Sequence, residues 1–137
     1  MEVFEGPEQA GLGAAAPSAY VGEAHVQVLP SPFDGFDVGY VQLEPGSRSR
    51  PSASASGRLV QVVSGEGVVA GPDERVVVVA GDTAVVPAGE WHWHGALPHV
   101  AVVLLIVDRP EDVSWNVAER DWMIGYAAPP AGGERAT

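Results

Sequence analysis

The chain contains no cysteine and no lysine. Without cysteine there are no disulfides, no thiol nucleophile and no thiolate metal ligand. Without lysine a Schiff-base lysine is excluded. Positive charge of any kind is scarce: seven arginines stand against eighteen aspartates and glutamates, for a formal net charge of −11. Nucleic acid and anionic membrane both require a basic face, so neither is an expected partner. Apolar runs are short as well, and none reaches the roughly 18 residues of a membrane span. The opening Met1-Glu2-Val3-Phe4-Glu5 lacks the positive region and apolar stretch of a signal peptide. These absences lead to the expectation of a soluble cytoplasmic protein. The preference for Arg, Ala, Gly, Val and Pro over Lys follows GC-rich codons and hints at a bacterial source.

What is present is an all-β pattern. At 137 residues the chain is long enough for one domain. Residues 1–18 and 127–137 are rich in Gly, Ala and Pro without periodicity and read as flexible tails around a domain at 19–126. Short β-branched runs at 24–29, 37–44, 58–63, 66–70, 75–79, 83–86, 91–94 and 99–107 are separated by Gly, Pro, Asp and Ser clusters. Ser64-Gly65-Glu66-Gly67 and Ala80-Gly81-Asp82 read as tight hairpin turns. After Arg109-Pro110-Glu111-Asp112 a short helix is expected through Trp122, its acidic first turn suiting a helix N-terminus. Trp115, Trp122, Met123 and Tyr126 would then pack on an outer face or across a dimer contact. Many short strands at this spacing suggest a sandwich or small barrel.

The run from Gly81 to Gly95 carries the chemistry. It reads as a turn, a strand, a Pro87-Ala88-Gly89 turn and a second strand bearing Trp91-His92-Trp93-His94. Residues two apart on a strand share a face, so His92 and His94 should look into one cavity and Trp91 and Trp93 away from it.

Gly81, Pro87, Gly89 and His92 fall on every position of G-x5-P-x-G-x2-H, the second motif of the cupins. Leu43-Glu44-Pro45-Gly46-Ser47-Arg48 and Val62-Val63-Ser64-Gly65-Glu66-Gly67 extend the likeness over about residues 20–122. The chain thus resembles single-domain cupins, in particular the carboxymuconolactone-decarboxylase-associated and hydroxynitrile-lyase-like branch that shares the His-Trp-His-Gly-Ala ending. That resemblance implies a jelly-roll β-barrel, here with a short C-terminal helix, and a homodimer that exchanges a strand within residues 20–29.

The first cupin motif departs from the family. Where W-H-x-H-P-x-G-Q should follow, this chain reads Pro51-Ser52-Ala53-Ser54-Ala55-Ser56-Gly57-Arg58 with no gap in the count. Ser52 and Ser54 stand at two histidine ligand positions and Arg58 at a third. Of four ligands the family implies, His92 alone remains. Serine hydroxyls are poor ligands for divalent transition metals, and a guanidinium repels a cation. A site without metal or other cofactor is expected.

The remaining groups suggest organic chemistry. His92 and His94 are candidate proton carriers, and Arg58 a candidate stabiliser of negative charge on oxygen. Arg58 also has a purely structural reading, an internal ion pair with Asp108 or Glu90. Val41, Val60, Val62, Leu104 and Ile106 make the expected cavity apolar, with Ser52, Ser54 and Asp108 as polar points and Arg50 and Trp91 near its mouth. Such a lining suits a hydrophobic small molecule. The reading is a metal-independent enzyme of bacterial specialised metabolism acting on an aromatic or polyketide-like compound, resembling cyclases, isomerases or dehydratases of antibiotic biosynthesis. The alternatives are a non-catalytic binding cupin and a metal-dependent cupin with an atypical site. His25 and His99 have no motif context and read as structural.

Overall fold

Alternation of apolar and polar residues builds this chain into two facing antiparallel sheets, seen in a computed structural model that describes residues 1–7, 13–14 and 19–116. The strands are β1 (Gly13–Ala14), β2 (Tyr20–Val21), β3 (Ala24–Leu29), β4 (Asp37–Leu43), β5 (Arg48–Ser49), β6 (Ser52–Ser54), β7 (Arg58–Ala70), β8 (Arg75–Val79), β9 (Thr83–Val86), β10 (Trp93–Ala96), β11 (Val102–Asp108) and β12 (Val113–Trp115). One sheet runs β1-β3-β4-β11-β7-β9, the other β2-β5-β10-β7-β8, and β6 pairs separately with β12. The all-β barrel expected from the sequence is therefore present. No helix among the described residues is long and apolar enough to cross a membrane.

The core follows from strand periodicity. On β11, Val102, Leu104 and Ile106 are buried, and across the ladders Leu104 faces Val41 of β4 and Val62 of β7, while Ile106 faces Val60. With Ala24, Leu43 and Val78 these form one apolar cluster between the sheets. Each such side chain contributes about 1.5–3 kcal/mol on burial. Val68, Ala70 and Trp93 form a second, smaller cluster.

Two local expectations are corrected. Ser64-Gly65-Glu66-Gly67 does not reverse the chain; it lies within the single 13-residue strand β7. The first half of β7 pairs with β9 and β11, and the second with β8 and β10, so the strand passes from one sheet into the other. Gly65, at φ 81°, supplies the bend, and the register against β11 shifts between Val103 and Leu104. A glycine that permits a bulge has the same sequence signature as one that permits a turn.

The second correction is at the C-terminal side. Pro110–Asp112 form one 3-10 turn, and Val113–Trp115 then extend to pair with Ser54–Ser52. The acidic first turn starts a helical bend, but the open edge of β6 takes the following residues as a strand. The rest of the expected helix, with Trp122, Met123 and Tyr126, lies outside the described residues, as do most of the two expected tails. Gly13–Ala14 pair with Val26 and His25 of the same chain. By contrast, the Gly81 turn is as expected. Asp82 accepts the Val79 N–H at 2.9 Å through Oδ2 and donates its own N–H to the Val79 carbonyl at 2.9 Å.

Gly65 offers a direct check on the sheet-crossing strand. A Cβ there would run into the Ala101 carbonyl, whereas one at Gly46, also at positive φ, meets nothing within 4 Å. Gly65→Ala should lower unfolding free energy by at least about 2 kcal/mol in urea titrations, and Gly46→Ala by only about 1 kcal/mol.

Candidate functional site

Three short segments converge on the barrel interior. The Pro87–Glu90 turn, closed by a Glu90 N–H to Pro87 carbonyl bond of 3.2 Å and allowed by Gly89 at φ 78°, delivers His92 to the end of β6. There His92 and Ser52 exchange backbone hydrogen bonds of 2.9 and 3.0 Å. Trp115 of β12 stands opposite Ser52 on its other side, giving a row His92–Ser52–Trp115. β10 itself starts at Trp93, two residues later than expected.

Arg58 opens β7 and lies almost wholly buried beside this row. Its Nε donates to Asp108 Oδ2 at 2.9 Å, and its Nη1 donates to Ser52 Oγ at 2.6 Å. Nη1 also lies 3.4 Å from His92 Nε2. Since a guanidinium can only donate, that nitrogen of His92 must accept, which leaves the ring proton on Nδ1. His92 Nδ1 in turn lies 3.5 Å from the Glu90 carbonyl, a long contact. The Trp115 ring covers the guanidinium, 5.7 Å from Cζ to centroid. Of the two expected acidic partners Asp108 is the one in place; Glu90 is exposed on its turn.

His92 and His94 do share the inner face, with ring centroids 5.8 Å apart. They open on different spaces. His94 borders a cavity of about 120 Å³ together with Tyr20, Val26, Val28, Asp37, Gly39, Val41, Arg58, Ile106, Asp108 and Trp115. His92 borders an open cleft of about 610 Å³ whose walls include Val69, Val76, Val78, Ala84 and Val86, with Asp73, Glu74, Asp82 and Glu90 also lining it. The His94 backbone N–H donates to Ser49 Oγ at 3.0 Å, and its ring is steeply inclined to that of Tyr20, with centroids 6.2 Å apart. Both ring nitrogens of His94 are buried and have no hydrogen-bond partner among the described residues.

The interior disfavours charge. Burial, reinforced by Arg58, lowers the His92 pKa to about 4. For His94, burial and then His92 and Arg58 hold the pKa well below the usual histidine value. Enclosure pushes Tyr20 up to about 12. Burial also raises Asp108, against the opposing pull of Arg58. At neutral pH both imidazoles are uncharged and Tyr20 keeps its proton.

The other candidates fall into three groups. Val41 and Ile106 line the smaller cavity, and Val60, Val62 and Leu104 belong to the core around it. Ser54 is buried, but its hydroxyl serves the following turn, accepting the Ser56 N–H at 3.3 Å and lying 3.2 Å from Ser56 Oγ. Arg50, half-buried, and Trp91, on the exposed approach to β10, line neither cavity. The sequence reading did not place Tyr20 and Trp115 in the site. Tyr20 comes in because β2 pairs with β5, and Trp115 because β12 pairs with β6.

The positions where cupins hold a metal do not suit one here. Ser52 Oγ already accepts from Arg58, and the Nε2 lone pair of His92 faces the same guanidinium. Among the described residues, a His and two carboxylates approach one another only at Glu23, His25 and Glu44, where exposed Glu23 accompanies two half-buried partners.

Two antiparallel sheets enclosing a histidine pair next to a G-x5-P-x-G-x2-H turn define a jelly-roll barrel of the cupin class. Residues 39–108 match the cupin domain family, and the chain belongs to it. A cupin-like protein from Thermotoga maritima superposes with a TM-score of 0.72 at 21% identity, over 85% of this chain and 89% of that one. A predicted oxalate decarboxylase, also from Thermotoga maritima, gives 0.64 at 19% over 77% and 92%. The polyketide cyclase RemF from Streptomyces resistomycificus gives 0.63 at 19% over 77% and 79%. At such identities the likeness concerns the fold. No curated protein matches the chain.

The network makes two solution predictions. Asp108→Ala strands the buried Arg58 charge and should cost about 3 kcal/mol in denaturant titration, while Arg58→Met with Asp108→Leu should recover most of it. A histidine moved from 6.5 to about 4 also makes the unfolded chain the stronger proton binder between those values. Its stabilising contribution is therefore complete above pH 6.5 and lost progressively down to pH 4, by about 3 kcal/mol. Unfolding midpoints measured from pH 7.5 to 4 should fall accordingly, and less so in His92→Gln. The raised Asp108 acts in the opposite sense, so this comparison between variants isolates the histidine.

Proposed function

We propose that this cupin is a metal-independent enzyme that binds a hydrophobic, aromatic or polyketide-like small molecule in its barrel and rearranges it by proton transfer, as a cyclase, isomerase or dehydratase. The observation that carries the reading is His94. A neutral, buried imidazole with neither ring nitrogen hydrogen-bonded by a described residue has a donor and an acceptor to offer. Buried polar groups without partners are uncommon and costly, which favours a ligand that completes them.

In this scheme one ring nitrogen of His94 takes a proton from an acidic carbon or hydroxyl of the substrate as the other gives one up, so that the ring never holds the charge that its burial disfavours. The sum is an isomerisation or ring closure without redox change, and in a dehydration the returned proton goes to the departing hydroxyl, which leaves as water. The apolar walls hold the substrate in its reactive shape. Of the two roles the sequence leaves open for Arg58, its contacts favour the internal ion pair: with Nε on Asp108 and Nη1 on Ser52, it orients His92 and fixes its tautomer. The likeness to RemF supports a polyketide-type substrate only as a similarity of fold.

A binding protein without catalysis is the second reading. It is favoured by the same Arg58, whose charge is already matched by Asp108 and is not held ready for a developing anion. The test begins with mass spectrometry of small molecules released from protein purified without chelators or nickel columns, with metal analysis alongside. The compound found, and aromatic enones and phenols related to it, are then assayed for conversion. Catalysis predicts at least a hundredfold loss of turnover in His94→Gln with affinity largely kept, and no stimulation by manganese or zinc. Stoichiometric metal in active protein would defeat the metal-independent part. Binding without conversion would leave the second reading.

A further inference from the structure

In a chain of net charge −11, the outer face of the sheet β3-β4-β11-β7-β9 bears no aspartate, glutamate or arginine at any outward strand position. We infer that this face is the contact between two copies of the chain, which associate sheet against sheet as a homodimer.

Strand parity defines the face. Val41, Val60, Leu104 and Ile106 point into the core, so their neighbours along each strand point out. Cross-strand pairing then aligns Leu29, Val38, Val107, Leu59 and Val85 in one apolar row across five strands. The next row sets Tyr40 and Leu105 among the neutral Gln27, Gln61 and Thr83. Leu59, Val63 and Val85 are exposed, Val85 to 75%, so the chain they belong to does not cover them. Apolar residues exposed singly need no explanation, whereas a continuous row spanning a sheet marks a contact surface.

Charge selects the occupant. A basic partner would seek carboxylates, and these rows offer none. An anionic membrane is repelled by the chain as a whole. A second copy meets the same repulsion over most of its surface, and least of it where both surfaces are neutral. A two-fold axis sets the same apolar patch against itself, and stacked sheets ~10 Å apart interdigitate their side chains as in a sandwich. Glu23 and Glu44 gather around His25 at one end of the face, where they form a polar rim. β3 pairs with β1 and β4 of its own chain, so the contact inferred here is made by side chains across a sheet face and needs no exchanged strand.

The size of the face sets the strength of the contact. Five strands ~4.8 Å apart and five residues of ~3.4 Å rise outline about 400 Å² in plan. Side chains standing on that area raise the accessible surface, so two copies bury about 1,000 Å² in total, the lower range for a specific contact. Such an interface suits a dimer that forms at micromolar concentration. β9 also walls the cleft beside His92 and is paired with β7 along one edge, so a copy packed on Val85 braces that wall.

Sedimentation velocity on the full chain at pH 7.5, from 2 to 200 µM and in 50 or 500 mM sodium chloride, tests this. The weight-average mass should climb towards two chains within that range. Added salt should tighten the dimer severalfold, because it screens repulsion between the acidic rims and leaves the neutral centre unaffected. Val85→Glu and Leu59→Glu should each raise the dissociation constant at least tenfold, and Val79→Glu, at an exposed valine of the other sheet, should not change it. Val85 is exposed enough for the single chain to keep its fold when it is replaced, which circular dichroism checks. The melting temperature of the unsubstituted chain should rise with protein concentration, and that of Val85→Glu should stay fixed. A chain monomeric at 200 µM in both salts, a dimer loosened by salt, or one indifferent to both glutamates or equally sensitive to Val79→Glu overturns the inference.

Discussion

An arginine inside a valine-lined barrel must be neutralised where it stands, and the geometry around Arg58 follows from that requirement. Asp108 supplies the opposite charge from the end of β11, Ser52 supplies an acceptor from β6, and Trp115 lays its ring against the guanidinium. These contacts join the first sheet to the β6–β12 ribbon at one point. They also determine the neighbours' chemistry. The same guanidinium disfavours a second positive charge on His92 or His94 and dictates which nitrogen of His92 carries the proton. Taking the arginine away would change the electrostatics of every polar group in the interior.

This substitution alters what the cupin scaffold can do. The family's scaffold presents the end of β6, the start of β7 and the approach to β10 to one point in the barrel. Here those places hold Ser52, Arg58 and His92, and the backbone bridge between Ser52 and His92 keeps them together. A fixed organic cation and its counter-ion occupy the centre, already hydrogen-bonded. Two residues further on, the ring of His94 is neutral and has no hydrogen-bond partner among the described residues.

Much of this was legible in the residues because strand parity and fixed spacing are local properties. The count from Gly81 to His92 identifies the turn and the barrel, alternation on β11 places Leu104, Ile106 and Asp108 on one face, and the Arg58–Asp108 pair was one of two partners the spacing allowed. Properties that depend on distant pairing were not legible. Gly65 reads as a turn because the sequence does not distinguish a bend between sheets from a reversal. Trp115 reads as an outer or interface residue because its inward position depends on β12 choosing the free edge of β6 over a continued helix. Tyr20 enters through a two-residue strand too short to carry a pattern.

The expectation that His92 and His94 look into one cavity captures their shared face but misses the division behind it. Rings 5.8 Å apart border spaces of about 610 and 120 Å³. The larger has acidic side chains along its lining and the volume usual for small-molecule sites. The smaller has the unengaged imidazole. Volume alone would favour the first, but hydrogen-bond demand favours the second, because solvated acidic groups in an open cleft cost little while a buried donor and acceptor left unmet are costly. The unmet imidazole of His94, rather than the larger space, is therefore the feature that supports the proposed site.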